Sequence, residues 1–574
     1  MDGALRSLAL LALAGGACRS SGAPPSSKAD PPAPSRTLFR NGKIRLDTVS
    51  EPVGALLVER GVVLAAGSEA DLAALARGAA IVDLAGGFAV PGLVDAHGHL
   101  ASLGASLESV DLVGVASYDE LVARVAEVAR ARPAGSWITG RGWDQTRWAE
   151  NDFPHHAELS AAVPDHPVFL ERVDGHAALA NARALELAGL SGTGVHEIEG
   201  GRILRDGPGE PTGVLIDRAT ALVESVIPPP DRGELLSRLQ LAQAECLRQG
   251  LSAVHDMGLT SEVASALEEL ERSGLLPLRV IGYLWGNDGL PADLLGSHPT
   301  AQDLDPAGRL RIIGVKFMID GALGSRGAAL LEPYADEAGT VGLPQLEPAR
   351  YAELLATALA RGLQPATHAI GDRGNRIVLD AYERALEQDP RFADLRPRVE
   401  HAQVVAPEDW GRFERLGVIP SMQPTHATSD MRWAEARLGP VRIAGAYAWR
   451  RLASERAPLA FGSDFPVERV NPLEGLYAAR TRTDRDGNPP GGWFLDQALD
   501  AREALAGFTT GAAFAAREET RRGTLWPGFF ADMTVLDVDP IACEPSALLS
   551  AKVRMTVLEG EVVYHGPERV VEIE

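Results

Sequence analysis

The sequence predicts an α/β fold: a (β/α)8 TIM-like barrel, with a small β-sandwich domain built from both chain ends and an α/β insertion after the first barrel strand. Three observations carry that reading. Eight short apolar runs in the middle of the chain alternate with amphipathic stretches of helical period. Strand-like segments punctuated by Gly and Asn crowd both ends. Finally, about 150 residues separate the first apolar run from the second, far more than one crossover helix requires.

The start reads as an address. Residues 1–18 hold one Arg, a short apolar run, small residues and Cys18, the shape of a signal peptide and too short to span a bilayer as a stable helix. AGGAC resembles a bacterial lipoprotein cleavage site, although Gly15 stands where Leu is usual and Asp2 weakens the positive start. Residues 19–36, rich in Ser and Pro, read as a flexible linker. Export is expected, to a periplasmic or membrane-anchored lipoprotein form, with simple signal cleavage as the alternative. A lipid on Cys18 is the only membrane contact expected, since no later segment has the length and apolarity of a transmembrane helix.

From Thr37 come hairpin-like strands in TLFRNGKIRL, GALLVERGVVLAAG and AAIVDLAGGFAV, and the C-terminus repeats the pattern in ADMTVLDVD, KVRMTVLEG and EVVYHG. Residues 37–88 and 520–574 are expected to meet in one composite β domain. Residues 89–519 supply the barrel, with strands at FAVPGLVDAH, LSAVHDM, PLRVIGYLW, RIIGVKFMID, QPATHAI, RVEHAQ, VIPSMQP and PLAFGSD. The excess segment, residues 104–230, is the inserted subdomain. Because βα loops lie at the active-site face of such barrels, it is expected to cover the site.

With 45% apolar and 23% charged residues among 574, the composition is that of a soluble globular protein. A net charge of −23 disfavours nucleic-acid partners, which need clustered Lys and Arg. A small-molecule substrate fits better, and formation of a homo-oligomer stays open. Cys18, Cys246 and Cys543 lack C-x-x-C spacing and cannot make a disulfide framework.

Chemistry gathers at the ends of the apolar runs. GLVDAHGHL places His97 and His99 two residues apart, and a strand projects such residues to one face. A lone H-x-H is weak, so the other strands decide. Lys316 in GVKFMID, His368 in ATHAIGD, His401 in VEHAQ and Asp464 in FGSDFP all lie in the C-terminal half of a predicted strand or close it, and in a barrel those ends converge. Any one of them reads as an ordinary core residue. Six together would each bury a polar group at about 1–3 kcal/mol with no shared purpose. A metal centre is the better reading.

VVLAAGSEADL, GGFAVPGLVDAHGHL, GRGWDQTRW, RVDGHAALANARAL, VKFMIDGALGSRGAAL, THAIGDRGN, VEHAQ, SMQPTH, FGSDFPV and GTLWPGFFADMTVLD complete the pattern. In them the chain resembles the metal-dependent amidohydrolases, specifically the branch that includes N-substituted formamide deformylases. The resemblance implies two divalent ions, best zinc, with manganese or iron chemically acceptable. His97, His99 and Asp464 would hold the more buried ion and His368 and His401 the other, with Lys316 bridging as a carbamate formed from CO₂. It further implies cleavage of a C–N bond, in an amide or N-formyl amine, by a metal-bridged hydroxide with Asp464 as general base and then acid.

Two alternatives stand beside it. One is a cyclic amidase or deaminase on the same scaffold, against which Lys316 counts; the other is an exported solute-binding lipoprotein without catalysis. Secondary candidates are softer. His426 and His176 contact substrate or hydrogen-bond structurally, and His255 and Asp256 face the same mouth or lie just behind it. Asp320 and Arg326 flank the site or fix a loop. Trp143, Trp148 and Trp285 line an apolar pocket or simply pack, while His155 and His156 face solvent.

Overall fold

The polar-ended runs become the staves of one barrel. The computed structural model describes residues 36–172, 177–192, 201–290 and 308–567. The proposed signal peptide with Cys18, the linker apart from Arg36, and His176 lie outside the described residues. Strands β1 (Leu93–Gly98), β2 (Leu251–Leu259), β3 (Arg279–Trp285), β4 (Leu310–Met318), β5 (Gln364–Ala369), β6 (Arg398–His401), β7 (Ile419–Met422) and β8 (Ala460–Phe461) pair in parallel and in sequence order. Nearly every residue in them is buried. A parallel sheet is covered on both faces, which is why these strands read as continuous apolar runs.

The ring is nearly closed, and polar groups with two glycines bring β1 against β8. The backbone N–H of Asp464 donates to the His97 carbonyl at 2.7 Å, and that of His99 to Phe465 at 3.0 Å. Asp95 on β1 accepts from the N–H groups of His97 and Ser463, each at 3.0 Å, and from Ser463 Oγ at 2.6 Å. A Cβ on Gly98 would stand 2.4 Å from the Phe465 ring, and one on Gly462 2.4 Å from the His97 nitrogen. Only glycine permits that approach.

The run FAVPGLVDAH holds two strands, not one. Phe88–Pro91 belongs to a five-stranded sheet, where it pairs antiparallel with Met533–Leu536. Gly92 then turns the chain into the barrel, its N–H bonded to the Asp532 carbonyl and its Cα packed on Ser252. The barrel therefore begins at about residue 92, and Arg36, assigned to the linker, opens the strand Arg36–Arg40. The five-stranded sheet also contains Lys43–Ile44, Val553–Leu558 and Glu561–His565. A second sheet of four strands comes wholly from residues 36–83. Phe39, Leu56, Val63, Met533 and Val557 share one core, and Arg45 pairs with Asp539 at 2.7 Å, so the two chain ends are held side by side.

After β1, helix α1 (Leu100–Glu108) packs on helix α2 (Arg232–Arg248), which begins at a capping box of Asp231 and Glu234. Gly104 lies inside α1, where a Cβ would meet the Arg238 carbonyl at 2.2 Å. The insertion thus starts beyond α1 rather than at residue 104. It is built on a six-stranded mixed sheet from Val110–Asp111 to Pro211–Asp217, with its own core around Trp143, Trp148 and Leu170.

We expect Gly98→Ala to lower the melting temperature, at about 1–3 kcal/mol of overpacking, and to loosen the flanking His97 and His99. A thermal melt checks this; an unchanged melting temperature would show that β1 and β8 do not meet as described.

Candidate metal centre

The base of the site is a buried ion pair on β6. Arg398 and Glu400 are both fully buried, with Nε to Oε1 at 2.8 Å and Nη2 to Oε2 at 3.1 Å. Arg398 also donates to the Ala96 carbonyl (2.7 Å), Ser421 Oγ (2.8 Å) and Tyr283 Oη (2.9 Å), and its Nη1 lies 2.9 Å from His255 Nδ1. Glu400 Oε2 lies 2.7 Å from His97 Nδ1. Glu400 accepts the Nδ1 proton, which fixes the tautomer and leaves Nε2 as a lone-pair donor. That Nε2 stands 3.3 Å from Lys316 Nζ and 3.5 Å from Asp464 Oδ1.

The remaining side chains close around it. His99 Nε2 bonds to Asp464 Oδ1 at 3.0 Å. His401 Nδ1 lies 2.8 Å from Gln423 Oε1, and its ring centre is 4.8 Å from that of His97 and 4.5 Å from that of His368. Strand alternation would turn His401 outward with Val399; a φ of 73° at His401 turns it into the barrel mouth instead. Asp464 takes a φ of 61°. Such left-handed backbone in non-glycine residues is strained and clusters at functional sites. His426, from the short helix Pro424–Asp430, lies nearly parallel to His401, with Nε2 3.7 Å from Asp464 Oδ2.

Electrostatics suit ligation. Burial, with Lys316 close by, pushes His97 well below its ordinary pKa and His368 down to about 3. Burial with neighbouring imidazoles does the same to His401. These imidazoles are neutral at physiological pH, the form that binds metal. Burial also pushes Lys316 down to about 8. Burial opposes ionisation of Asp464, but His97, His99 and His426 outweigh it and hold the carboxyl well below the usual range.

The donor set fits a metal. Ligand atoms of His97, His99 and Asp464 lie within 4.8 Å of one another, and so do those of His401, His426 and Asp464. Nε2 of His368 and of His426 are buried without a hydrogen-bond partner. Around them a cavity of about 400 Å³ has an apolar wall of Met257, Trp285, Met318, Leu323 and Ile370, and a polar one of His426, Asp430 and Glu468.

The six ligand candidates, His97, His99, Lys316, His368, His401 and Asp464, therefore share one cavity, joined by His426 and Trp285. Other candidates lie elsewhere. Asp320 is buried behind His368, accepting backbone N–H groups of Ala329, Ile370 and Gly371, so it fixes a loop rather than touching substrate. Arg326 is paired with Asp336 at 3.0 Å and does not line the cavity. Trp143 is fully buried in the insertion core, with Nε1 donating to the Leu170 carbonyl, and Trp148 packs beside it. His255 belongs to the Arg398 network, and Asp256 accepts from the Leu100 N–H at 3.4 Å. His155 is exposed and His156 half-buried, close to Ser160. Among the described residues, no part of the insertion lines the cavity. Glu400, Arg398 and Asp95 escaped sequence reasoning. Their signal was present: charged residues inside otherwise apolar strands.

The amidohydrolase family matches this chain over residues 80–564. The chain belongs to that family. The amidohydrolase YtcJ of Bacillus subtilis (strain 168) is 32% identical over 494 residues, covering 84% of this chain and 90% of the relative. The N-substituted formamide deformylase of Arthrobacter pascens is 28% identical over 550 residues, covering 91% and 97%. Among solved structures, an uncharacterized metal-dependent hydrolase from Pyrococcus horikoshii OT3 superposes with a TM-score of 0.75 at 31% identity, covering 89% of this chain and 99% of its own. As an amidohydrolase-family member the chain is a metal-dependent hydrolase, and its His and Asp groups are able to hold a metal.

Glu400→Gln is expected to lower stability by about 3–5 kcal/mol, because the buried Arg398 loses its counter-charge, and to weaken metal binding about 10- to 100-fold in the folded protein, measured by competition with a chromogenic chelator. Unchanged affinity would remove Glu400 from the support of His97.

Proposed function

We propose that this amidohydrolase cleaves the C–N bond of an amide or N-formyl amine, with two divalent ions, best zinc. The observation that carries the reading is the Asp464 carboxylate, approached inside one cavity by His97 and His99 from the end of β1 and by His426 from the helix Pro424–Asp430. The Arthrobacter pascens relative, matched along nearly its whole length, bears the name of an N-substituted formamide deformylase, which supports this reading.

His97, His99 and Asp464 would hold one ion and His368 and His401 the other, with Lys316 between them. When bound, such ions acidify a water and polarise a carbonyl. Among the described residues no carboxylate lies within ion-pair distance of Lys316. Its lowered pKa leaves a share of neutral amine at mild pH. That amine adds CO₂ and releases one proton, so a buried cation becomes an anionic carbamate suited to bridging. Asp464 would take the proton of the attacking water and deliver it to the departing amine. His426, which lines the cavity, would donate to the oxygen on which charge develops. The first 35 residues would direct export as a lipoprotein.

The test is release of amine and formate from N-formyl amines by the zinc-loaded protein. Asp464→Asn is expected to lose about 10³-fold or more of kcat/KM with an unchanged circular-dichroism spectrum. Activity retained in that variant would overturn the assignment. Incubation with a strong chelator is expected to abolish turnover, and zinc with bicarbonate to restore it; turnover that survives chelation would contradict a metal-dependent step.

A further inference from the structure

Two carboxylates on the wall of the catalytic cavity, Asp430 and Glu468, have no part in the steps above. Both are half-buried, and their partners are neutral donors. Asp430 Oδ2 accepts from Tyr447 Oη at 2.6 Å and from Gln403 Nε2 at 3.1 Å, and Glu468 Oε1 accepts from Ser429 Oγ. Among the described residues, no Arg or Lys stands within ion-pair distance of either. Asp430 also closes the helix Pro424–Asp430, the end at which a carboxylate is disfavoured. Burial pushes both carboxyls above their ordinary range, Glu468 further against the nearby Asp430, although His426 pulls the other way.

The cavity supplies no counter-charge. Lys316 is the only Arg or Lys among the described residues that line it, and the reading above turns it into an anionic carbamate. Arg432, Arg469 and Arg485 line a second depression that Glu468 also touches, not the cavity. There Arg432 pairs with Asp484 at 3.8 Å and Arg485 with Glu474 at 3.4 Å. A buried carboxylate is costly unless it is paired. Two of them, each given hydrogen-bond donors but no cation, leave the cation to the ligand. The same space is marked independently as a ligand site by His368, 7% exposed, whose buried Nε2 lacks a hydrogen-bond partner.

The rest of the lining sets what joins that cation to the scissile bond. Met257, Met318, Leu323 and Ile370 would cover methylenes. A ligand carboxylate would meet like charge at Asp430 and Glu468. An N-formyl amine carries nothing on its acyl side, so spacer and cation belong to the nitrogen.

Resting on the hydrolase reading, we propose that Asp430 and Glu468 are specificity-determining residues that bind an ammonium group, making diamines acylated at one nitrogen the preferred substrate class.

The experiment compares kcat/KM on the zinc-loaded full chain for three series of graded length: monoacylated diamines, their uncharged alkyl isosteres and the isosteres that end in carboxylate. The wild type is expected to favour ammonium over alkyl by about tenfold or more at the best length, with carboxylate last. In Glu468→Gln, which can still accept from Ser429, the ammonium-to-alkyl ratio is expected to fall toward one. In Glu468→Lys the carboxylate series is expected to overtake the ammonium series, a reversal that a merely structural role would not give. Thermal melts check the folding of both variants. A wild-type ratio of one or less, or an unchanged ratio in Glu468→Gln, overturns the proposal. Calorimetric binding of the free diamine against the alkylamine runs beside it. Tighter diamine binding that Glu468→Gln loses, in a protein that hydrolyses no amide, keeps the ammonium site and removes the hydrolase reading; equal binding of the two amines removes the ammonium site. A third divalent ion per chain, held by the wild type and lost in Glu468→Gln, marks a metal site instead and also overturns the proposal.

Discussion

The site depends on one buried chain of contacts: Arg398 to Glu400 to His97. Two charges on one strand, taken wholly out of water, cost several kcal/mol each. Arg398 offsets this by donating to Glu400, two further side-chain oxygens and the Ala96 carbonyl on β1. The arrangement does more than neutralise itself. It couples β6 to β1, β3 and β7 across the barrel interior, and it aims His97 Nε2 at the cavity. Glu400 at Nδ1 and Lys316 at Nε2 both favour that tautomer.

A second constraint works at the seam between the first and last strands. His97, His99 and Asp464 come from opposite ends of the barrel sequence, and their convergence requires β1 and β8 to lie closer than side chains permit. Gly98, Gly462 and the Asp95–Ser463 contacts supply that closeness. The left-handed backbone at His401 and Asp464 belongs to the same crowded mouth. Such features cost stability and persist where function needs them.

Much of this was legible in the sequence. Eight apolar runs gave the eight barrel strands in order, and polar residues near their ends marked the ligand candidates the structure brings together. Boundaries were less legible. FAVPGLVDAH reads as one strand because apolar character continues across Gly92, while the turn there depends on contacts with Asp532 and Ser252, far away in sequence. Trp143 reads equally as pocket lining or as packing, and its indole finds a partner inside the insertion. Glu400 was hidden by its neighbour. Strand alternation leaves room for either it or His401 to face inward, and only the left-handed turn at His401 lets both do so.

The central claim is that this barrel mouth holds two metal ions. It is tested most directly by elemental analysis of the protein expressed from Thr37 onward and purified without chelators. The account predicts close to two divalent ions per chain. A chain that holds none, even after incubation with zinc and bicarbonate, would contradict it.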